Sequence, residues 1–397
     1  MSRICITGMG AISAIGNSVA DNRAALQQGI TGIQRESQFT SRYAGTLPFG
    51  EVKTSTAHLQ EQLNITAPGV TRTSLLALHA LEEAIADAGL TKELLMSGDT
   101  ALIGASTVGG MCLTDELYND ANSTTGEGSP YLSSYDNASV TLFLQQYFNV
   151  GGIVNTINTA CSSSANAIAF GVRLINSGLA KRAIVGGADS LAKFTINGFK
   201  ALHILSAEPC APFDADRSGL NLGEAGAFLI LEKEEDLAGR KAYGVVSGYG
   251  NSNDSFHPSS ISAEGEGPFL SMQRAIDKAG LQPSAIDVIN AHGTATENND
   301  ETESVAMQRL FGKVPVFMST KSYTGHTLGA AGAIEAIYSL LKLYYGEIYS
   351  SLQFKQPIAI TGLIPQLQYT NMDIQHIMSN SFGFGGNCSS LVFSKIG

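Results

Sequence analysis

Residues Ile153 to Leu179 read IVNTINTACSSSANAIAFGVRLINSGL, and a strand that turns into a buried helix at Cys161 explains this pattern best. The first residues alternate β-branched and polar side chains, which is typical of a strand. Behind the cysteine, apolar residues recur at helical spacing: Ile168, Val172, Ile175 and Leu179. Free N–H groups and the positive end of the helix dipole would face the sulfur. We therefore expect a lowered thiol pKa and a nucleophilic thiolate.

An unreactive, buried cysteine is the alternative, because cysteine is among the most buried residue types. A nucleophile needs partners elsewhere in the chain, so the local sequence leaves both readings open. The five cysteines are scattered and lack CxxC spacing, which favours neither a disulfide framework nor a zinc site. Their free thiols fit a reducing cytoplasm.

The composition indicates a large, compact enzyme. A length of 397 residues suits two domains or one duplicated unit. Apolar residues make up 44% of the chain, and the 43 glycines are typical of many tight strand-to-helix turns. The formal net charge of -11 argues against nucleic acid or an anionic membrane as a partner. The chain has no signal-peptide core and no apolar run of membrane-spanning length, so we expect a soluble cytoplasmic protein.

Two pairs of similar segments occur in the same order and predict duplicated halves. ICITGMG from Ile4 is echoed by VVSGYG from Val245, and AIADAGL from Ala84 by AIDKAGL from Ala275. Strands alternate with helices in both halves, so each half should carry a mixed sheet covered by helices. We place the halves at residues 1–240 and 241–397. The polar segment 119–134 should be a surface loop or cap in the first half.

The third repeat concerns the cysteine segment itself. VPVFMST, which begins at Val314, predicts a strand, and the helix behind His326 repeats the spacing of the helix behind Cys161. If the halves pack around a pseudo-twofold axis, the two helix starts face one shared cleft. Lys321 precedes His326 in an apolar segment, and Glu335 is its natural ionic partner. The helix N-terminus predicts a neutral His326 that donates one N–H.

Two further motifs supply candidate residues. NAHGTAT places His292 in a loop at the end of an apolar strand, where ligands bind in α/β sheets, although a surface histidine is the alternative. The glycine-rich loop SFGFGG around Phe384 could present an N–H to an oxyanion, act as a hinge, or be a plain turn. PFDADRSG, which begins at Pro212, predicts a structural loop rather than chemistry.

Together, these motifs resemble the β-ketoacyl-(acyl carrier protein) synthases of the initiating-and-elongating type, within the thiolase-like condensing enzymes. The resemblance rests on five motifs in the family's order: TACSSS, PFDADRSG, NAHGTAT, STKSYTGHTLGAAGAIE and NSFGFGGN. It implies an α/β fold in which a duplicated thiolase-like unit forms five αβαβα layers with two mixed sheets. It also implies a homodimer without a cofactor or metal.

The resemblance implies a decarboxylative Claisen condensation between an acyl group and a malonyl-(acyl carrier protein) in fatty acid biosynthesis. Cys161 would accept the acyl group, and His292 and His326 would complete a Cys-His-His triad that stabilises the enolate. Lys321 with Glu335 would orient the site.

The resemblance also implies residues that bind the substrate. The N–H groups of Cys161 and Phe384 would form an oxyanion hole, and the Phe384 ring would admit the acyl chain. Val108 would line the acyl pocket. Thr294 and Thr296 would bind the substrate beside the histidine.

Several positions depart from the family pattern. Glu297 follows the NAHGTAT motif where proline is common, and Ala225 stands where glycine is usual. The supply of basic residues for an acidic carrier protein is poor: only Arg72, Lys200 and His203 stand near the expected contact positions. The partner could therefore be a specialised carrier, as in polyene or other secondary pathways.

Three alternatives differ in class. A thiolase would need a second catalytic cysteine late in the chain, and Cys388 lies outside the expected context. A non-catalytic chain-length partner subunit would lack the nucleophile, so Cys161 argues against it. A cysteine hydrolase would not explain two histidines and a lysine in duplicated positions.

Overall fold

A computed structural model describes residues 2–113, 117–118, 120, 122–125 and 128–396. Within these residues, the strands are β1 (Ile4–Ser13), β2 (Thr100–Ala105), β3 (Val154–Ile157), β4 (Arg182–Asp189), β5 (Ala225–Lys233), β6 (Gly244–Asn253), β7 (Val288–Asn290), β8 (Val316–Met318), β9 (Glu347–Ile348), β10 (Thr370–Asn371), β11 (His376–Gly383) and β12 (Asn387–Ser394). The helices with described bounds are α1 (Val19–Gln28), α2 (Thr56–Gln62), α3 (Arg72–Ala88), α4 (Lys92–Met96), α5 (Ser139–Phe148), α6 (Ser163–Asn176), α7 (Lys193–Ala201), α8 (Glu266–Ala279), α9 (Glu297–Phe311), α10 (Lys321–Thr324) and α11 (Ala331–Tyr345).

The main sheet reflects the internal repeat. In the described part of the chain, ten strands form one mixed sheet in the order β3-β2-β4-β5-β1-β6-β12-β11-β7-β8. Strands β3, β2 and β4 are parallel to one another, and so are β8, β7 and β11. The last five strands thus mirror the first five. The predicted division at residues 240 and 241 falls in the connection between β5 and β6, and it stays a prediction.

The two predicted mixed sheets are joined to each other. Strands β1 and β6 pair antiparallel at Cys5–Val245 and Ile6–Gly244. These residues are buried, so their backbone N–H and C=O groups need partners, and the other half supplies them. The result is a single ten-stranded sheet with one five-stranded set from each half.

Helices α6 and α11 form the central layer between the two sets of strands. Helix α6 packs on β2 and β4, α11 packs on β11 and β5, and the two helices contact each other. Gly332 allows this close approach, since a Cβ there would lie 2.5 Å from the Ala165 nitrogen. Helix α3 covers β1 and β5 on one outer face, and α8 covers β6 and β12 on the other. The arrangement gives the predicted αβαβα layers.

The ends of the repeated helices are also as predicted. Helices α3 and α8 both end at a left-handed glycine, Gly89 with φ 64° and Gly280 with φ 69°. Of the predicted loop, residues 119, 121, 126 and 127 lie outside the described residues. Residues 122–125 and 128–134 are mostly exposed and contain one 3₁₀ turn, Leu132–Ser134. Within the described chain, no helix has the length and apolar character that a bilayer span requires.

Candidate active site

Cys161 lies in the turn between β3 and α6, as the sequence predicts. Ala160 adopts a left-handed φ of 53°, and the Cys161 side chain turns into the interior, where the residue is 7% exposed. Gly383, which belongs to the C-terminal half of the chain, packs against this turn. A Cβ on Gly383 would lie 3.0 Å from the Cys161 nitrogen, so the glycine allows the two halves to meet at the thiol.

The expectation of a lowered thiol pKa is wrong. Burial raises the pKa of Cys161 to about 11. The positive charge of Lys321 and the backbone N–H groups of Phe384 and Cys161 act in the opposite direction but do not outweigh burial. The thiol is therefore mostly protonated near neutral pH.

Residues from both halves meet in one cavity of about 420 Å³. Cys161, His292 and His326 line it, together with Thr294 and Thr296. The Cys161 sulfur and one ring nitrogen of each histidine lie within 4.8 Å of one another. The structure thus assembles the predicted triad and places both predicted threonines beside it.

Lys321 fixes the orientation of His292. Its ammonium group contacts Nδ1 of His292 at 3.2 Å, donates to the His292 carbonyl at 2.6 Å and pairs with Glu335 at 2.5 Å. An ammonium group has only donors, so Nδ1 must accept and Nε2 must carry the proton. Burial, then the charge of Lys321, holds the His292 pKa well below its usual range. His292 is thus a neutral donor.

His326 has the same tautomer for a different reason. The backbone N–H of Leu328 donates to Nδ1 of His326 at 3.2 Å, so the proton lies on Nε2. Burial and the nearby Lys321 charge hold the pKa of His326 well below its usual range, which confirms the predicted neutral state. Nε2 is buried and has no hydrogen-bond partner within the described chain. It is therefore free to bind a substrate oxygen.

The cysteine and the two histidines are also the kind of residues that bind zinc. A zinc ion would need the lone pair on each Nε2, which would move each proton to Nδ1. Both Nδ1 atoms already face donors, the Lys321 ammonium group and the Leu328 N–H. These neighbours disfavour metal binding and favour a pair of hydrogen-bond donors.

Phe384 contributes both its backbone and its ring. Its N–H donates to the Cys161 sulfur, and its ring stacks on Phe199 with centroids 5.5 Å apart. Sequence reasoning missed Phe199, because nothing in the pattern of α7 distinguishes it from an ordinary packing residue. The cavity wall does not include Val108, which is 1% exposed in the apolar cluster that packs against Phe199. Phe199 thus packs against both the Phe384 ring and the apolar cluster that contains Val108.

Glu303 is a second residue whose role the sequence did not indicate. It accepts the backbone N–H of His292 at 2.8 Å and that of Gly293 at 2.9 Å. It thus holds the loop that carries His292. Burial raises the pKa of Glu303 to about 7.

The residues predicted to contact a carrier protein differ in their exposure and in their partners. The Arg72 guanidinium pairs with Glu224 at 2.6 Å and donates to the Val52 and Thr54 carbonyls. Because these partners occupy its donors, Arg72 supports the fold rather than a free basic surface, and this prediction needs correction. Lys200 is half-buried near the end of α7, and His203 is exposed at the cavity rim.

Comparisons with known proteins agree with this geometry. The family model of the β-ketoacyl synthase N-terminal domain matches residues 1–237, and that of the C-terminal domain matches residues 243–355. The chain is 32% identical to 3-oxoacyl-[acyl-carrier-protein] synthase 1 of Escherichia coli, over all of both chains. It is 31% identical to synthase 2 of Staphylococcus aureus, over 99% of this chain and 98% of that protein.

A solved structure has the same fold over the whole chain. A ketosynthase in complex with its chain length factor, from Xenorhabdus doucetiae, matches with a TM-score of 0.86 and 32% identity. The match covers 100% of this chain and 98% of that one. The thiolase-like fold is therefore confirmed, and the chain belongs to the β-ketoacyl synthase family, whose members are acyltransferases.

Proposed function

We propose that the protein condenses an acyl group, held on Cys161, with a malonyl group on an acyl carrier protein. The observation that carries this proposal is the pair of neutral imidazoles whose Nε2–H groups share a cavity with the thiol. Two donors beside a nucleophile suit an enolate that forms next to an acyl-cysteine. A hydrolase needs a histidine that accepts the thiol proton, which these tautomers disfavour.

In the first half-reaction, the Cys161 sulfur attacks the carbonyl carbon of the acyl-carrier thioester. The N–H groups of Cys161 and Phe384 stabilise the oxyanion of the tetrahedral intermediate. A C–S bond to Cys161 forms, and the C–S bond to the carrier arm breaks. The proton that the thiol loses ends on the departing carrier sulfur.

In the second half-reaction, the malonyl thioester loses carbon dioxide. The electron pair of the broken C–C bond forms an enolate whose oxygen accepts from Nε2–H of His292 and of His326. The enolate carbon attacks the acyl-cysteine carbonyl, a C–C bond forms, and the Cys161 sulfur leaves and takes up one proton. The product is a 3-oxoacyl-carrier thioester.

The other predicted residues support these steps. Lys321 with Glu335 keeps His292 in the donor tautomer. We assign the gate to the Phe384 ring, because it stacks on Phe199, which packs against the apolar cluster that contains Val108. Thr294 and Thr296 offer hydroxyls to the carrier arm.

We place carrier contact at the cavity rim, where Leu202, His203 and Glu297 line the opening. Among the described residues that line this cavity, none is a lysine or arginine. Leu202 is 48% exposed. An acidic carrier would gain little ionic attraction here, which supports apolar docking and a specialised carrier.

A condensation assay tests the function and the docking mode together. With acyl- and malonyl-loaded carrier we expect carbon dioxide and a 3-oxoacyl-carrier, detected by mass spectrometry. Because no lysine or arginine lines the described cavity, the rate should change little between about 0.05 and 0.5 M salt. Absence of product would contradict the condensing function. A steep fall with salt would contradict apolar docking but not condensation.

We propose a homodimer that forms at the edge strand β3. In the described sheet, β3 pairs only with β2, which leaves its other edge open. Leu142, Tyr147 and Ile153 lie near this edge and are 48%, 41% and 37% exposed. Light scattering should give the mass of two chains, and Leu142→Arg should shift it towards one. A wild-type monomer would instead favour a heterologous partner.

Fatty acid biosynthesis is the pathway we propose first, because the two named synthases are similar over nearly the whole chain. A polyene or polyketide-type pathway is the second candidate. Two observations support it: no lysine or arginine lines the described cavity, and the chain is similar to a ketosynthase that has a chain length factor. Rates with saturated and polyunsaturated acyl donors of several lengths separate the two. A preference for unsaturated donors would contradict the first candidate.

A further inference from the structure

A second lysine is buried behind the proposed active site. Lys342 lies in α11, seven residues after Glu335, so both side chains project from the same side of the helix. Lys342 is 0% exposed, and its ammonium group donates to Oδ1 of Asn290 at 2.7 Å. It also lies 5.6 Å from the Tyr349 ring centroid. A buried cation is costly, so its position requires an explanation.

Two neighbours of Lys342, Asn290 and Glu335, connect it with His292. Asn290 is the last residue of β7 and is separated from His292 by one residue. Glu335, whose carboxylate pairs with Lys321, is the acidic group whose charge acts on Lys342. Oε2 of Glu335 is buried and has no hydrogen-bond partner in the described chain. Glu335 therefore depends on nearby positive charge to stay ionised.

Ionised Glu335 matters for the tautomer of His292. If Glu335 were protonated, Lys321 would lose its anionic partner, and its ammonium group would no longer be held against Nδ1 of His292. The imidazole proton could then lie on Nδ1, which would leave Nε2 without one. The cavity would then lose one of its two donors.

We propose that Lys342 is a positioning residue: it is a second buried cation that keeps Glu335 ionised, and it thereby keeps the Nε2–H of His292 directed at the substrate. The inference rests on the proposed decarboxylation. It assigns a role to Lys342 in addition to that of the Lys321–Glu335 pair.

The sign of the effect follows from the groups around Glu335. Burial raises the pKa of Glu335, and the charges of Lys321 and Lys342 oppose this rise. Burial lowers the pKa of Lys342 to about 7, so Lys342 is charged below that pH, where Glu335 is at risk of protonation. The other titratable groups nearby are the neutral histidines, Cys161, Tyr338 and Tyr349, and burial raises the pKa of each of the last three. Removal of Lys342 should therefore raise the pKa of Glu335.

The test is the pH profile of malonyl decarboxylation in Lys342→Met, which removes the charge but keeps a similar length. We expect the acid limb to move up by about one pH unit, so that the rate on that limb falls approximately tenfold, with little loss on the alkaline side of the profile. Lys342→Gln keeps an N–H donor for Asn290 without the charge and should show the same shift. Leu343→Met, a volume-conserving change in the same helix, should leave the profile in place.

A profile that falls by the same factor at every pH in both Lys342 variants would overturn the inference, because it would indicate a structural role alone. If Lys342→Met does not fold, the pH profile of Lys342→Gln alone distinguishes a shift of the acid limb from a uniform fall. Wild-type protein that releases no carbon dioxide would contradict the proposed function rather than the role of Lys342.

Discussion

Cys161→Ala should take up no acyl group from an acyl-carrier donor, whereas the wild-type protein should gain one acyl mass on the peptide that contains Cys161. The thiol is the nucleophile nearest to the two histidines, and no other cysteine lines the described cavity. Peptide mass spectrometry after brief incubation measures the adduct. Condensation should fall to background in the same variant.

The control is Cys112→Ala, since Cys112 is a half-exposed thiol outside the cavity. This variant should acylate as the wild type does. An acyl mass on another residue of the Cys161→Ala protein would contradict the nucleophile assignment.

The rate at which Cys161 is alkylated reports the protonation state of its thiol. Because burial raises the Cys161 pKa to about 11, the thiolate fraction should increase about tenfold per pH unit below that value. Alkylation of Cys161 by iodoacetamide should follow this rise where the fold is stable. A plateau already at neutral pH would indicate that the helix dipole outweighs burial.

His292→Ala and His326→Ala should each lower malonyl decarboxylation by about 10²- to 10³-fold, the loss expected when one preorganised donor to an oxyanion is removed. Both Nε2–H groups are held in place by fixed neighbours, so water in the enlarged cavity would replace either donor poorly. Carbon dioxide release from malonyl-carrier measures the effect.

Acylation of Cys161 should survive better than decarboxylation in both histidine variants, because its oxyanion binds to backbone N–H groups. His58→Ala serves as the matched control, since His58 lies on the exposed surface helix α2. Undiminished carbon dioxide release from either active-site variant would exclude that histidine from enolate stabilisation.

Much of the architecture was predictable because the two halves of the sequence repeat the same pattern of strands and helices. The apolar runs from Ile4 and Val245 became β1 and β6, and the two echoed helices end at Gly89 and Gly280. Periodicity and glycine stops depend on neighbours in sequence, so they could be read without coordinates.

Properties that depend on burial could not be predicted in the same way. Helix position alone predicted a low pKa for Cys161, but the surroundings of the thiol exclude water and reverse the direction of the shift. The sequence suggests a surface cation at Arg72, but in the structure its guanidinium pairs with Glu224. The pKa of Cys161 and the ion pair of Arg72 both depend on groups that are distant in the sequence.

The sequence by itself determined the layered fold, the two helix starts and the residues Cys161, His292, Lys321 and His326. Tertiary structure alone decided their protonation, because pKa values follow the local exclusion of water and the nearest charges. It also decided the tautomers, through the Lys321 ammonium group and the Leu328 N–H, and it buried Lys342 beside Glu335. Hydrogen bonds and desolvation are set by proximity in space, and proximity in sequence does not specify them.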